Sequence, residues 1–229
     1  MNVSLRNFFA GLMVCFWALT TTAQAADGPD KIVGDATGKV IQLLKTERAV
    51  YEKNPGKFYD DVEQIIDPVI AFDEMGRGVM GKYAHRATDA EIARFTKVFR
   101  DSLVTFYSKA VLTFDTSQLT LGKVDSVSAD TLKAYEAGKS RSIPVGLKIR
   151  SKDTEYAMSY SVMKKDGQWK VRNIVVEGIN IGIQFRNQFQ DAMNKYRSVA
   201  TVIDKWPSLM QQETDQQQKE LKEKEKAKS

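Results

Sequence analysis

Between Leu119 and Val176 the apolar residues fall at every second position, whereas before and after that stretch they recur three and four residues apart. Period two indicates strands with one buried face, and the longer period indicates amphipathic helices. Ile143, Val145, Leu147 and Ile149 alternate with Pro144, Gly146, Lys148 and Arg150; Tyr156, Met158, Tyr160 and Val162 alternate with Ala157, Ser159 and Ser161. Asp166-Gly167 predicts a tight hairpin turn into Gln168–Val171 and Ile174–Val176, and Leu119 to Val127 adds a strand. Pro144 predicts an edge position or a bulge, because it has no N–H to give a ladder. The inward side of Ile174-Val175-Val176 stays open, since all three are apolar. Helices first, an antiparallel sheet next and a helix last make an α+β domain, with helices covering one face of a curved sheet of about four strands.

The helical pattern begins with Val40, Leu43, Leu44 and Val50, which predicts a helix over Lys39 to Tyr51 that ends at Asn54-Pro55-Gly56. A second starts near Lys57, with Phe58, Val62, Ile65 and Ile66 on one face, and breaks at Asp67-Pro68. Short helices with glycine joints follow through Gly76, Gly78 and Gly81. Thr88-Asp89-Ala90-Glu91 is a capping box, and the apolar series from Ile92 to Ala110 behind it predicts the longest amphipathic helix of this half. After Gly178, Ile181, Phe185, Phe189, Met193 and Tyr196 share a face that Val199, Val202, Ile203 and Trp206 continue to Pro207. The remaining residues, 208–229, are rich in Gln, Lys and Glu and form a solvated helical extension or a disordered tail.

The amino terminus predicts a secretory leader. Phe8 to Leu19 is an unbroken apolar run too short to span a bilayer, and Ala23-Gln24-Ala25 is a small-x-small cleavage site. Cleavage after Ala25 leaves residues 26–207 as one domain. It also removes Cys15, the only cysteine, and with it any disulfide, thiol nucleophile or cysteine metal ligand. Lipidation is rejected, because bulky Val14 precedes Cys15 inside the apolar run. No second long apolar segment follows, and the formal charge of +5 is spread among acids, unlike a nucleic-acid-binding stripe. A mild attraction to anionic lipid surfaces is the more natural consequence.

Catalytic chemistry is scarce. His85 is the only histidine, so no histidine metal cluster can form, and a Ser/His/Asp triad would have to use a residue that reads as a surface loop position. There is no Gly-x-Ser-x-Gly elbow, and Asp60, Asp61, Asp73 and Glu74 read as solvated helix faces. Gly76-Arg77-Gly78-Val79-Met80-Gly81 matches the dinucleotide fingerprint, but no strand precedes it, so no nucleotide cofactor is expected. What remains is a surplus of methionine and aromatic residues on faces that meet between helices and sheet. Those residues alone do not distinguish a filled core from a lined cavity.

Gly167-Gln168-Trp169-Lys170-Val171, then Val176-Glu177-Gly178-Ile179-Asn180, then Gln184-Phe185-Arg186-Asn187-Gln188-Phe189 resemble the W-K-V … E-G-[IV]-[SN] … [YF]-R-x-Q-F pattern of the MlaC family. Asp67-Pro68, Phe72-Asp73-Glu74-Met75, Phe99-Arg100-Asp101-Ser102-Leu103 and Tyr107 resemble its helical half, so the similarity runs from about Lys31 to Pro207. Phe185 stands where many relatives carry Tyr, and Asn180 where Ser is common. These toluene-tolerance auxiliary proteins are periplasmic phospholipid carriers. The resemblance implies a noncatalytic protein that encloses acyl chains. It would pass phospholipid between an inner-membrane ABC transporter complex and an outer-membrane lipoprotein complex, and so maintain outer-membrane lipid asymmetry.

Exposing an acyl chain of about 15 methylenes to water costs on the order of 12 kcal/mol, so a carrier must shield it, and two tails need a cavity near or beyond about 1,000 Å³. On this reading the tails lie between the long helix and the sheet. The helical residues expected to line them are Met75, Val79 and Met80, then Phe99, Leu103, Phe106 and Tyr107, then Ile181 and Phe185. The sheet would add Leu147, Met158, Tyr160, Ile174 and Val176. Arg77, Lys82 and Arg186 are the expected head-group or docking residues at the mouth. The alternatives are a periplasmic chaperone or lipoprotein escort that binds on an exposed patch, and a lipid-metabolising enzyme that would need His85 or a carboxylate pair buried in a cleft.

Overall fold

The computed structural model describes the backbone of residues 27–112, 116–152 and 154–226, and the side chains of 27–105, 116–152 and 154–212. The expected leader and cleavage site lie outside the described residues. The first three helices are α1 (Pro29–Thr46), α2 (Arg48–Lys53) and α3 (Pro55–Ile66). Helix α1 starts ten residues before the expected Lys39, with Pro29 in its first turn. Gly34 and Gly38 dilute its apolar pattern for a reason visible in the packing. A Cβ at Gly34 would lie 3.3 Å from Val124 Cγ2, and one at Gly38 3.8 Å from Leu121 Cδ2, so the helix rides close to the first strand. Asn54 ends α2 and caps α3, its side chain accepting from Lys57 N–H.

Helix α4 (Phe72–Met80) runs into a 3₁₀ turn over Gly81–His85, and α5 (Asp89–Leu112) follows. The capping box forms as expected: Thr88 N–H donates to Glu91 Oε2 at 2.9 Å, and Glu91 N–H to Thr88 Oγ1 at 3.2 Å. After the sheet come α7 (Ile181–Tyr196) and α8 (Val199–Lys226). Helix α8 does not stop at Pro207; the proline sits inside it and the backbone continues to Lys226.

The sheet has five antiparallel strands in sequential order: β1 (Leu119–Val124), β2 (Ile143–Ser151), β3 (Thr154–Lys165), β4 (Gln168–Val176) and a two-residue β5 (Ile179–Asn180). Asp166 and Gly167, both at positive φ, make the β3–β4 turn. Cross-strand rows of inward side chains run Ile143–Val162–Val171, Val145–Tyr160–Ile174 and Leu147–Met158–Val176. The ladder slips one residue between Ser161/Asn173 and Val162/Val171, leaving Arg172 as the extra residue of a bulge. That bulge puts Val171 and Ile174 on the same face, and so makes Ile174 and Val176 the inward pair. Pro144 lies in a central strand, but in the part of β2 beyond its pairing with β1, where β3 is its only strand neighbour among the described residues.

A short helix that the sequence pattern does not announce, α6 (Ala129–Glu136), joins β1 to β2. Ser128 caps it, Tyr135 packs on Trp169 with ring centroids 5.4 Å apart, and the Tyr135 hydroxyl accepts from Lys164 N–H at 2.7 Å. After α3 the chain docks on the edge of β4: Val171 N–H donates to the Val69 carbonyl at 2.7 Å, and Ala71 N–H to the Val171 carbonyl at 2.8 Å.

The apolar interior divides by element. Helices α4, α5, α7 and α8 close around Trp206, with Phe95, Phe99, Phe185 and Phe189 as ring neighbours. The inward face of the sheet packs with α1 and α6, and α1 to α3 share a smaller cluster at Leu44, Tyr51, Phe58 and Val62. Among the described residues no helix is long and apolar enough to cross a membrane.

Candidate functional site

The face that α1 turns to the sheet carries Val33, Ala36, Thr37, Val40, Ile41 and Leu44, a stripe at helical spacing. Helix α3 adds Phe58, Val62 and Ile66 from its apolar side, and the docked connection after it adds Val69 and Ile70. Below them the strands present Leu119, Ile149, Met158, Tyr160, Val171 and Ile174. The two layers do not meet everywhere. Between them lies a cavity of about 410 Å³, within the ordinary range of roughly 300–1,000 Å³ for small-molecule sites but less than half of the space expected for two tails.

The only polar side chains in this wall are Thr37 and Tyr160, and the Tyr160 hydroxyl donates to Met158 Sδ at 3.6 Å. Burial pushes the Tyr160 phenol above its ordinary pKa, and the Thr37 side chain partly opposes the shift. With no charge in its wall, the cavity suits hydrocarbon.

A wider cleft of about 670 Å³ opens on the outer side of the same helices and meets the cavity at Ala36 and Val69, which border both. It is charged, with Lys39, Lys57, Asp35, Glu47 and Asp61 in its walls. Lys57 Nζ pairs with Asp61 and holds that carboxyl below its usual pKa, with help from the Tyr51 hydroxyl at 3.0 Å. Tyr51 is itself pushed up to about 12, first by burial and then by its bond to Asp61.

Of the residues expected from the sequence, Met158, Tyr160 and Ile174 are in the cavity wall. Leu147 is buried beside it in the sheet core, and Val176 is half-buried at the end of β4. Met75, Val79, Met80, Phe99 and Phe185 are packed into the helical cluster around Trp206, and Leu103 and Ile181 lie against that cluster. The side chains of Phe106 and Tyr107 are outside the described residues. The space thus lies under α1 and α3, not under the long helix α5. Helix α5 turns its apolar face to α8 and α4, its most extensive helix partners. The residues that sequence reasoning did not single out are those of α1 and α3, although the stripe of Phe58, Val62 and Ile66 was present in the pattern.

None of the three expected cationic residues borders the cavity. Arg77 reaches Asp89 at 3.7 Å, Lys82 lies over the Tyr83 ring at 5.2 Å, and Arg186 Nε donates to the Gly78 carbonyl at 2.8 Å. Arg186 borders a separate polar hollow of about 330 Å³ beside α4 and β4. His85 is exposed in the 3₁₀ turn, and Asp73 pairs with Lys165. The Gly-x-Gly-x-x-Gly stretch belongs to α4 and its end. A Cβ at Gly76 would come within 2.8 Å of Thr96 Oγ1 on α5, and Gly81 takes φ +55° against Arg186, so two of these glycines serve helix packing and chain reversal. Among the described residues no group of His, Cys, Asp and Glu could hold a metal.

Comparison with known proteins places this geometry in a family. The chain is 35% identical over 199 residues to the toluene tolerance protein ttg2D of Pseudomonas putida, a match that covers 86% of this chain and 87% of that protein. The fold matches that of a phospholipid-binding protein from Ralstonia solanacearum, solved in complex with a phospholipid. The TM-score is 0.66 at 20% identity, over 81% of this chain and 98% of the other. The family profile described as MlaC protein matches residues 35–208. The chain belongs to the MlaC protein family.

Proposed function

We propose that this protein is a noncatalytic periplasmic phospholipid carrier that holds acyl chain in the cavity between α1, α3 and the sheet. The observation that carries the reading is the cavity itself. Seventeen residues from two layers line it, and only Thr37 and Tyr160 among them bring a side-chain oxygen or nitrogen. Hydrocarbon gains about 0.8 kcal/mol per methylene on leaving water, and an uncharged wall takes it without asking for a pairing partner. The fold shared with a protein solved in complex with a phospholipid supports the same assignment. A hollow between helices and sheet, and not a flat outer patch, favours the carrier over an escort that binds on an open surface.

The carrier takes lipid from and delivers it to an inner-membrane ABC transporter complex and an outer-membrane lipoprotein complex, and thereby maintains outer-membrane lipid asymmetry. Arg77, Lys82 and Arg186 lie away from the cavity wall, so their part is docking on such partners more than holding a head group. The amino-terminal leader supplies the export that this location requires.

The test is extraction and mass spectrometry of protein purified from cells, followed by incubation of delipidated protein with phospholipid vesicles. Copurifying phospholipid and uptake from the vesicles are expected. Purification without lipid, together with no uptake, would overturn the carrier reading.

A further inference from the structure

The Thr37–Tyr160 pair is an anomaly in an apolar wall. Tyr160 is 9% exposed, and its hydroxyl donates to Met158 Sδ at 3.6 Å, a thioether being a weak acceptor for so good a donor. Phenylalanine would fill the same space without burying a hydroxyl. Thr37 brings a second hydroxyl into the wall of the same cavity from the opposite layer. Two hydroxyls with unspent hydrogen-bonding capacity therefore face a cavity otherwise fit for hydrocarbon.

Their position in the chain of surfaces matters. Ala36, the neighbour of Thr37, is one of the two residues shared by the cavity and the charged outer cleft, and its small side chain leaves a narrow partition there. On the cleft side stands Lys39, exposed and without an ion pair among the described residues, in a cleft otherwise of mixed charge. Passing outward, the order is apolar wall, hydroxyl pair, small-residue gap, free ammonium. A glycerophospholipid has the matching order: acyl chain, ester carbonyl, glycerol, phosphate.

The geometry points to the Thr37 and Tyr160 hydroxyls as donors to an ester carbonyl of the bound lipid, fixing how deep the acyl chain sits and favouring ester-linked over ether-linked lipid. This rests on the carrier reading, and supplies that reading with a specificity-determining pair. An ester carbonyl is a stronger acceptor than the Met158 thioether, so the Tyr160 donor turns to it when lipid enters. An ether-linked lipid of the same chain length has no carbonyl and gains nothing from the pair.

The experiment loads delipidated protein from vesicles of phosphatidylglycerol carrying either two ester-linked or two ether-linked chains of equal length, and measures bound lipid by extraction. The proteins are the wild type, Tyr160→Phe, Thr37→Val and the double variant, each checked for its thermal midpoint. The wild type is expected to favour the ester lipid by roughly three- to tenfold, the range of one or two ordinary hydrogen bonds. The double variant should lose the preference and take up the two lipids in equal proportion. Equal uptake of the two lipids by the wild type overturns the inference and leaves the carrier reading intact, as does an ester preference that survives in the double variant. Failure of the wild type to take up either lipid overturns the carrier reading itself.

Discussion

Tyr51 is fully buried under α1 and α3, yet its hydroxyl reaches the cleft, where it donates to Asp61. Its folded pKa, raised to about 12 from 10.0, means that folding favours the protonated phenol. The stabilisation is present in full below pH about 10 and is lost as pH rises through about 12. Tyr51→Phe should therefore lose roughly 1–3 kcal/mol at neutral pH, the worth of a hydrogen bond to a carboxylate, and show a shallower alkaline fall between those values than the wild type. Urea denaturation of wild type and variant from pH 8 to 12 checks it; parallel curves would show that the phenol has no such part. Single residues also mark where the sequence stops being legible. Met158 and Tyr160 could be placed inward from strict alternation, but Ile174 could not, because its side depends on Arg172 being an extra residue. A bulge leaves no trace in a strand that is apolar on both faces.

At the level of elements, α1 is the piece on which the cavity depends, and its glycines do unequal things. Gly38 has ordinary room for a methyl group, with Leu121 Cδ2 3.8 Å away, whereas a methyl group at Gly34 would press on Val124 Cγ2 at 3.3 Å. Alanine in a helix interior is worth about 0.5–1 kcal/mol over glycine. Gly38→Ala should therefore stabilise the protein by about that amount. Gly34→Ala should show a smaller gain or none, because the helix must move off β1 to seat it. Chemical denaturation of both variants decides this, and a larger gain at Gly34 than at Gly38 would contradict the packing argument. The same glycines explain why the start of α1 was illegible. They interrupt the apolar stripe between Val33 and Val40, so that periodicity seemed to begin near Lys39. Helix α5 was legible because a capping box and a long uninterrupted stripe coincide. Helix α6 was not, since eight residues with few apolar positions give periodicity too little to work on.

Across the whole molecule, rigidity and hollowness are assigned to different halves. The helices around Trp206 are filled with aromatic rings in edge and stacked contacts, and the space left open lies across the sheet under α1 and α3. Arg100 ties the two together, reaching from α5 to Glu63 and Asp67 at the end of α3. Composition could not reveal this division, because methionine and aromatic residues occur in both halves and fill one while lining the other. The division makes stability and binding separable. Phe189, fully buried among Tyr83, Phe95 and Trp206, should cost about 3–5 kcal/mol when cut to alanine, while each molecule that remains folded keeps its lipid. Val62→Trp does the reverse. Its side chain stands in the cavity wall, and an indole there occupies space that hydrocarbon would use, so lipid content should fall severalfold with a smaller change in the unfolding midpoint of the delipidated protein. Lipid extracted per folded molecule, measured beside the denaturation curve, separates the two. If both variants lost lipid in proportion to stability, the two halves would be one cooperative unit in binding as well as in folding, and the filled cluster would have to be counted part of the site.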